Sequence, residues 1–223
     1  MTINKINRLV RNSDLKWISE VRDENNWIEK YPHSTCLGNH WVRDEALYKW
    51  VFALLNFGIG TSGKRVIDLG VQNGCVPHVV ADWGNETTAL DIKKAPWEQP
   101  KSSAELVIAD AFEWLPKLED ESVDVFFDIC AVHCFEPSHD ENCGNHGLLR
   151  ISELAYQKLK PGGKFIITSD VGDSTEGSYI KAESFIEIVE RAGFKITSEF
   201  DGTIDGDTFY NGDLKVASMD FVK

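Results

Sequence analysis

The chain has few cysteines, few positive charges and no long apolar run, and each shortage excludes a class of protein. Its five cysteines are an odd, unevenly spaced set that does not form a disulfide framework. Lysine and arginine number 23 against 36 acidic residues, which gives a formal net charge of −13. Duplex nucleic acid and anionic membrane surfaces both require a basic face. We therefore expect neither of them as a partner.

The apolar residues are too dispersed for a membrane segment. No run reaches the roughly 18 residues that are needed to span a bilayer, and Met1–Lys5 lacks the apolar core of a secretory signal. A hydrophobic content of 42% is instead typical of a globular domain. Without a signal or a disulfide framework, the sequence predicts a cytoplasmic protein.

Residues 1–57 differ from the rest of the chain. They contain four of the seven tryptophans, and apolar residues recur at helical spacing from Val42 to Phe57. The glycines of Gly58–Gly63 then end the helix. We predict an N-terminal helical segment over residues 1–57, which acts as a lid or contacts the substrate, and a main domain over residues 58–223.

From Lys64 onward, strand and helix patterns alternate, which is typical of a parallel sheet covered by helices. The predicted strands are 65–69, 87–91, 105–109, 123–129, 164–169, 194–200 and 214–222. The last two lack room for a helix between them, so they must run antiparallel to each other. The predicted fold is α/β, with a doubly wound, seven-stranded, mostly parallel sheet and an antiparallel last strand.

Two predicted strands end in acidic residues, in a pattern typical of nucleoside binding. The strand within Val66–Gly74 contains Asp68 and leads into a turn bracketed by Gly70 and Gly74, and the following strand ends in Asp91. In a doubly wound sheet the first turn lets the backbone approach the ligand. The second carboxylate accepts hydrogen bonds from the ribose hydroxyls. The sequence therefore predicts a nucleoside-containing ligand.

With these motifs in order, residues 64–223 resemble the class I S-adenosylmethionine-dependent methyltransferases. Asp68–Gly74 is similar to the first motif of that family, Asp91 to its ribose-binding carboxylate and Asp110–Phe112 to its adenine-contacting segment. Leu159–Phe165 is similar to the turn into its fifth strand. The resemblance implies a Rossmann-like methyltransferase domain with S-adenosylmethionine as its cofactor.

The resemblance also implies a set of cofactor-binding residues. They are Asp68, Gly70, Gln72, Gly74, Asp91, Ile92, Asp110, Ala111, Phe112 and Asp128. Gln72 replaces the central glycine of the family pattern, and its side chain either crowds the cofactor or hydrogen-bonds to it. Either the Asp110 carboxylate or the nearby backbone amides contact the adenine edge, while Phe112 packs on the purine or in the core.

The segment after the fourth predicted strand contains the candidate catalytic residues. Transfer of a methyl group to a hydroxyl requires a base that removes the proton. His133 is the predicted base because histidine titrates near neutral pH. Glu136 is an alternative base, and Asp128 either orients His133 or contacts the cofactor amine.

Metal binding is an alternative for the same segment, which contains Cys130, His133, Cys134, His139, Cys143 and His146. These residue types bind zinc, but their spacing matches no paired Cys-x-x-Cys arrangement. A magnesium site formed by Asp128, Asp140 or Glu141 is a further alternative. We predict no metal, and we interpret Cys130 as a core residue at the strand end.

The predicted function is methylation of a small polar acceptor by an S-adenosylmethionine-dependent enzyme. A loose similarity of Val132–Gly163 to methyltransferases of carbohydrate pathways favours O-methylation of a sugar or a similar metabolite. One alternative is a non-enzymatic binding module with the same fold, which Gln72 favours. The other is an NAD-dependent oxidoreductase, although the residues from Gly70 onward do not fit Gly-x-Gly-x-x-Gly. The oligomeric state is left open.

Overall fold

The structure is a computed structural model that describes residues 7–31, 44–72, 74–94, 102–131, 144–174 and 179–223. The strands in these ranges are β1 Arg8–Leu9, β2 Arg65–Leu69, β3 Glu86–Asp91, β4 Glu105–Ile108, β5 Val123–Ile129, β6 Leu159–Val171, β7 Lys195–Ile196, β8 Tyr210–Asn211 and β9 Leu214–Val222. The α-helices in these ranges are α1 Asp14–Glu24, α2 Trp27–Lys30, α3 Asp44–Phe57, α4 Val76–Asp82, α5 Ala111–Trp114, α6 Gly144–Lys158 and α7 Ala182–Arg191. None of these helices is long and apolar enough to cross a membrane.

All the strands belong to one sheet, in the order β4-β3-β2-β5-β6-β9-β1, with β7 and β8 also paired to β9. The strands from β4 to β6 run parallel to one another, and β9 runs antiparallel to β6. The carboxyl ends of β2, β3, β5 and β6 therefore meet at one edge of the sheet, where α/β folds bind their ligands. The predicted doubly wound sheet with an antiparallel last strand is confirmed.

The number of strands differs from the prediction, because nine are formed in the described residues rather than seven. The outer edge of β9 pairs with three strands of two residues each, namely β7, β1 and β8. The strand predicted over 194–200 is correspondingly reduced to Lys195–Ile196. β1 and β8 carry too few residues for an alternating pattern to reveal them.

Asn7 explains why β7 is short. Its Nδ2 donates hydrogen bonds to Thr197 Oγ1 at 3.1 Å and Ser198 Oγ at 2.9 Å, while its Oδ1 accepts one from the backbone N–H of Asp220 at 2.6 Å. The chain then continues into β1, whose Arg8 pairs with Ser218. The N-terminal strand thus lies along the part of β9 that a longer β7 would occupy.

The core lies on both faces of the sheet because successive side chains of a strand point to opposite sides. Phe126 belongs to the apolar cluster that includes Ile151 of α6, whereas Phe127 belongs to the cluster that includes Val51 of α3 and Val79 of α4. All these side chains are buried. Each contributes roughly 1.5–3 kcal/mol by leaving water, so helices are held against both faces.

The N-terminal helices pack against the main sheet. Trp27, Tyr31 and Tyr48 are buried in the same cluster as Phe127, and α3 contacts β5, β6 and β9. These aromatic residues therefore contribute to the core that joins the helices to the sheet. The boundary at residue 57 and the role of residues 1–57 as a lid stay predictions.

Candidate active site

The turn after β2 holds its backbone in an uncommon conformation. Gly70 has φ +67° and Gln72 has φ +45°, in the left-handed region that side-chain-bearing residues rarely occupy. The backbone N–H of Gln72 donates a hydrogen bond to Asp91 Oδ2 at 2.6 Å. At Gly74 an added Cβ would lie 3.2 Å from the Val71 oxygen. The glutamine therefore occupies a glycine-like position without loss of the turn.

Asp91, at the end of β3, is fixed in place before any ligand binds. Its Oδ2 accepts the hydrogen bond from Gln72 and its Oδ1 accepts another from the backbone N–H of Lys93 at 2.9 Å. Each carboxylate oxygen has a second lone pair, so two further donors can bind. Asp91 thus has the position and acceptor capacity that a ribose diol requires. The neighbouring Ile92 is 64% exposed.

Two buried carboxylates lie beside Asp91 at the same edge. Asp68 and Asp128 are almost completely excluded from solvent, and Asp128 Oδ1 accepts a hydrogen bond from the Ala131 N–H at 2.9 Å. Asp68 Oδ1 has no hydrogen-bond partner among the described residues. Burial, followed by the charges of Asp128 and Asp91, raises the pKa of Asp68 well above its usual range. This edge therefore favours a positively charged ligand.

The residues predicted at the adenine begin α5. Asp110 is the N-cap, and its Oδ1 accepts a hydrogen bond from the Phe112 N–H at 2.8 Å. Ala111 is buried, Phe112 is half-buried, and the Arg150 guanidinium lies 4.8 Å from the centre of the Phe112 ring. A local role in capping thus accounts for the position of the Asp110 side chain. The adenine contacts of these residues stay predictions.

Comparison with known proteins decides the family. Residues 67–167, which include the turn after β2 and the ends of β3 and β5, match the family model of a methyltransferase domain. Residues 67–167 are therefore a methyltransferase domain, and the comparisons support a class I S-adenosylmethionine-dependent methyltransferase. This confirms the predicted family, enzyme class and cofactor. A search of curated protein sequences finds no significant match.

Solved structures share the fold of this methyltransferase at low sequence identity. An S-adenosylmethionine-dependent methyltransferase from Archaeoglobus fulgidus is 18% identical, with a TM-score of 0.58 over 90% of this chain and 99% of that one. A 1,6-didemethyltoxoflavin-N1-methyltransferase from Burkholderia thailandensis, with bound 1,6-didemethyltoxoflavin and S-adenosylhomocysteine, is 14% identical. Its TM-score is 0.58 over 95% of this chain and 86% of that one.

The predicted bases of the methyltransferase, His133 and Glu136, lie outside the described residues, as does most of the Cys/His set. Within the described ranges, no three His, Cys, Asp or Glu side chains are grouped so as to hold a metal ion. The assignments of catalytic and metal-binding residues therefore stay predictions.

Sequence reasoning missed a buried group of three side chains beyond β5, which we call the Lys49 cluster. Lys49 Nζ lies 2.7 Å from Asp170 Oδ2 and 3.3 Å from Cys130 Sγ, and Cys130 Sγ lies 3.1 Å from Asp170 Oδ2. Cys130 has φ +61° and is half-buried, so it is a member of this cluster and not only a core residue. Asp170 carried a readable signal, because it follows an apolar strand as Asp91 does. Lys49 carried none.

Ion pairing sets the charges of the Lys49 cluster. Burial raises the pKa of Asp170, but Lys49 outweighs this effect and the net pKa is lowered. Burial lowers the pKa of Lys49, but the neighbouring Cys130 and Asp170 outweigh it and the net pKa is raised. Burial raises the pKa of the Cys130 thiol. At neutral pH the cluster therefore holds an ammonium, a carboxylate and a protonated thiol.

Proposed function

We propose that this methyltransferase transfers the methyl group of S-adenosylmethionine to an oxygen atom of a small polar acceptor, a sugar or a similar metabolite. The observation that carries the cofactor part of the proposal is the fixed Asp91 carboxylate beside the turn at Gln72, whereas the choice of acceptor follows from the similarity of Val132–Gly163 to methyltransferases of carbohydrate pathways. Its free lone pairs suit the two ribose hydroxyls. Asp68 and Asp128 place two further carboxyl groups at this edge, and the sulfonium and ammonium groups of the cofactor would favour their ionised forms.

The buried Asp68 carboxyl is a second feature that fits the cofactor. Asp68 Oδ1 is buried without a hydrogen-bond partner in the described part of the chain, and an orphaned buried acceptor is costly until a donor reaches it. When bound, S-adenosylmethionine supplies the methyl group and a sulfur that keeps the electron pair of the broken carbon–sulfur bond. The protein's task is to align the acceptor with that carbon.

His133 is proposed as the base that takes the proton of the acceptor hydroxyl. It follows β5 by four residues in the sequence, and the end of β5 lies at the same edge as the turn after β2. Asp128 is proposed to orient His133 or to hold the cofactor amine. Glu136 is the alternative base. Removal of a positioned base costs about 10²–10⁴-fold in rate.

Calorimetric titration tests the cofactor part of the proposal. We expect S-adenosylmethionine and S-adenosylhomocysteine to bind with micromolar dissociation constants, whereas NAD, as the control ligand, gives no heat beyond dilution. Binding of NAD alone would instead support the oxidoreductase alternative. Absence of all binding would favour the view that Gln72 closes the pocket.

Product analysis separates an enzyme from a binding module. The protein is incubated with S-adenosylmethionine and a panel of sugars, nucleotide sugars and nitrogen heterocycles, and S-adenosylhomocysteine and methylated products are measured by mass spectrometry. We expect turnover on a hydroxyl acceptor and a loss of turnover in His133→Ala at unchanged cofactor affinity. Transfer to a heterocycle, as named for the Burkholderia enzyme, would make nitrogen the acceptor atom. Cofactor binding without turnover on any class would support a binding module.

A further inference from the structure

The Lys49 cluster lies on the sheet edge next to the proposed cofactor site. The strand order β3-β2-β5-β6 places Asp91, the turn at Gly70, Asp128 and Asp170 on four successive strands. The backbone N–H of Cys130 bonds to the oxygen of Thr168 at 2.8 Å, which puts Asp170 just beyond the end of β5. Neighbouring strands are about 4.8 Å apart. The Asp170 backbone therefore lies roughly 10 Å from the turn that follows β2.

Asp170 lies on the side of the proposed cofactor site from which an acceptor would approach the methyl group. The ribose is assigned to Asp91 on β3, and the aminoacyl end to the turn after β2. The strands on the adenine side of the ribose are β3 and β4, so β5 and β6 are the parallel strands of this edge to which no part of the cofactor is assigned. An acceptor aligned with the methyl group would lie over these two strand ends.

Asp170 has unused acceptor capacity in the described structure. Its Oδ2 receives Lys49 and Cys130 at 2.7 and 3.1 Å, whereas Oδ1 receives only the Asn211 amide at 3.4 Å among the described residues. A carboxylate oxygen accepts two good hydrogen bonds. Asp170 is 9% exposed, so this capacity is held in a nearly dry position where a hydrogen bond is strengthened.

Stability alone does not account for the cluster. A buried ion pair stabilises a fold little compared with apolar residues of the same volume, because both ions lose their hydration. Here an ammonium, a carboxylate and a thiol are brought together from α3, β6 and the end of β5. Lys49 keeps Asp170 ionised, and the carboxylate remains ready to accept a further donor.

We propose that Asp170 is a binding residue for the methyl acceptor, and that its Oδ1 accepts a hydrogen bond from an O–H or N–H group next to the atom that is methylated. Lys49 and Cys130 are positioning residues that fix the carboxylate. The proton of the methylated group itself is left to His133. The acceptor therefore has at least two polar groups, as a polyol, sugar or amino alcohol has, and carries no anionic group at this point. This inference rests on the proposed function.

The cofactor analogue sinefungin tests the proposal without an identified acceptor. In sinefungin an amine-bearing carbon replaces the methylated sulfur, so its ammonium points toward the acceptor position. We expect wild-type protein to bind sinefungin more tightly than S-adenosylhomocysteine in calorimetric titrations. Asp170→Asn is expected to reduce that preference by about tenfold, the effect of losing one charged hydrogen bond, while the affinity for S-adenosylhomocysteine stays unchanged.

Asp173→Asn is the matched control because it makes the same change of charge three residues further along the chain. Asp173 is 80% exposed and pairs with Lys215, so its loss is expected to leave both affinities unchanged. If both variants reduced the preference for sinefungin equally, the effect would be one of long-range charge and the proposal would be overturned. If Asp170→Asn does not fold, the double variant Lys49→Gln/Asp170→Asn, which removes both buried charges together, takes its place.

The remaining outcomes separate the two levels of inference. If wild-type protein binds both ligands and the Asp170 variants keep its preference for sinefungin, Asp170 does not face the acceptor and this inference fails alone. If the folded variants lose S-adenosylhomocysteine as well, Asp170 is a structural residue and the inference again fails. If wild-type protein binds neither ligand, the proposed function itself fails.

Discussion

The two halves of the ligand-binding edge hold their charges in opposite ways. In the cofactor half, at the ends of β2 and β3, Asp68 and Asp91 are carboxylates among other carboxylates, and burial raises the pKa of Asp68. In the acceptor half, beyond β5 and β6, Asp170 is paired with Lys49 and its pKa is lowered. The first half suits a ligand that brings positive charge. The second suits a neutral or cationic hydrogen-bond donor, because its own charge is already balanced.

Breaking the charge balance of the acceptor half is expected to have the largest effect. Lys49→Met leaves Asp170 buried without its cation and is expected to lower the free energy of unfolding by about 3–5 kcal/mol. Because Asp170 has a depressed pKa when folded, its stabilising effect is present above the ordinary aspartate pKa and is lost as the pH falls through the folded value. The difference between variant and wild type in urea unfolding should therefore shrink below about pH 4.

Two further variants sharpen this measurement. Lys49→Met/Asp170→Asn removes both buried charges and is expected to regain most of the lost stability. Lys160→Met breaks a half-exposed pair with Asp124 and should cost only about 0–1 kcal/mol. A loss in Lys49→Met no greater than that in Lys160→Met would show that the acceptor half is not a buried ion pair.

The proposed function predicts that the cofactor half depends on Asp91 for affinity. Asp91→Ala removes the acceptor of two ribose hydroxyls, each hydrogen bond to a charged group being worth about 1.5–3 kcal/mol. We expect affinity for S-adenosylmethionine to fall by about 100-fold or more. Calorimetry measures this, with Glu86→Ala at the exposed opposite end of β3 as the control. If Asp91→Ala left the affinity for S-adenosylmethionine unchanged, the ribose would not bind at the end of β3.

Asp68 is expected to favour ligand binding at the expense of stability. Its raised pKa means that the penalty for the buried carboxylate is absent below the ordinary aspartate pKa and grows as the pH rises toward the folded value. Asp68→Asn should therefore raise the free energy of unfolding of the ligand-free protein by about 1–3 kcal/mol at neutral pH, and not below about pH 4.

The same Asp68→Asn variant should lose affinity for S-adenosylmethionine more than for S-adenosylhomocysteine, because only the former has a sulfonium charge. Urea unfolding across pH and calorimetry with both ligands provide the two measurements. A variant that is less stable at every pH would show that the Asp68 carboxylate is satisfied in the folded state. The contrast between the two halves of the edge would then be lost.

Gln72 is expected to give the smallest effect. A side-chain-bearing residue in the left-handed region costs about 1–2 kcal/mol, and glycine recovers this at an entropic cost of about 0.5–1 kcal/mol. Gln72→Gly should therefore raise the free energy of unfolding by about 0.5–1 kcal/mol. Gln72→Ala keeps the strain and should show no such gain. Equal stability of the glycine and alanine variants would mean that the turn stores no strain.

Local patterns were sufficient for much of the fold and for the place of Asp91 at a strand end. β9 has the predicted bounds 214–222, and Asp91 ends its strand as expected, because alternation and strand-end residues act within a few positions of the chain. The strand predicted over 194–200 was too long. Asn7 and β1 occupy the part of the β9 edge with which the longer strand would have paired. Which segment pairs with that edge is decided by residues that are distant in the sequence.

The sequence by itself determined the parallel sheet, the turn that begins at Gly70 and the carboxylate of Asp91, because short-range geometry requires particular residues at these positions. Only the tertiary structure decided the acceptor half. Lys49 and Asp170 are 121 positions apart, and nothing in either neighbourhood indicates a partner. Packing of α3 against the sheet brings the two charges together, since an ion pair depends on distance in space and not along the chain.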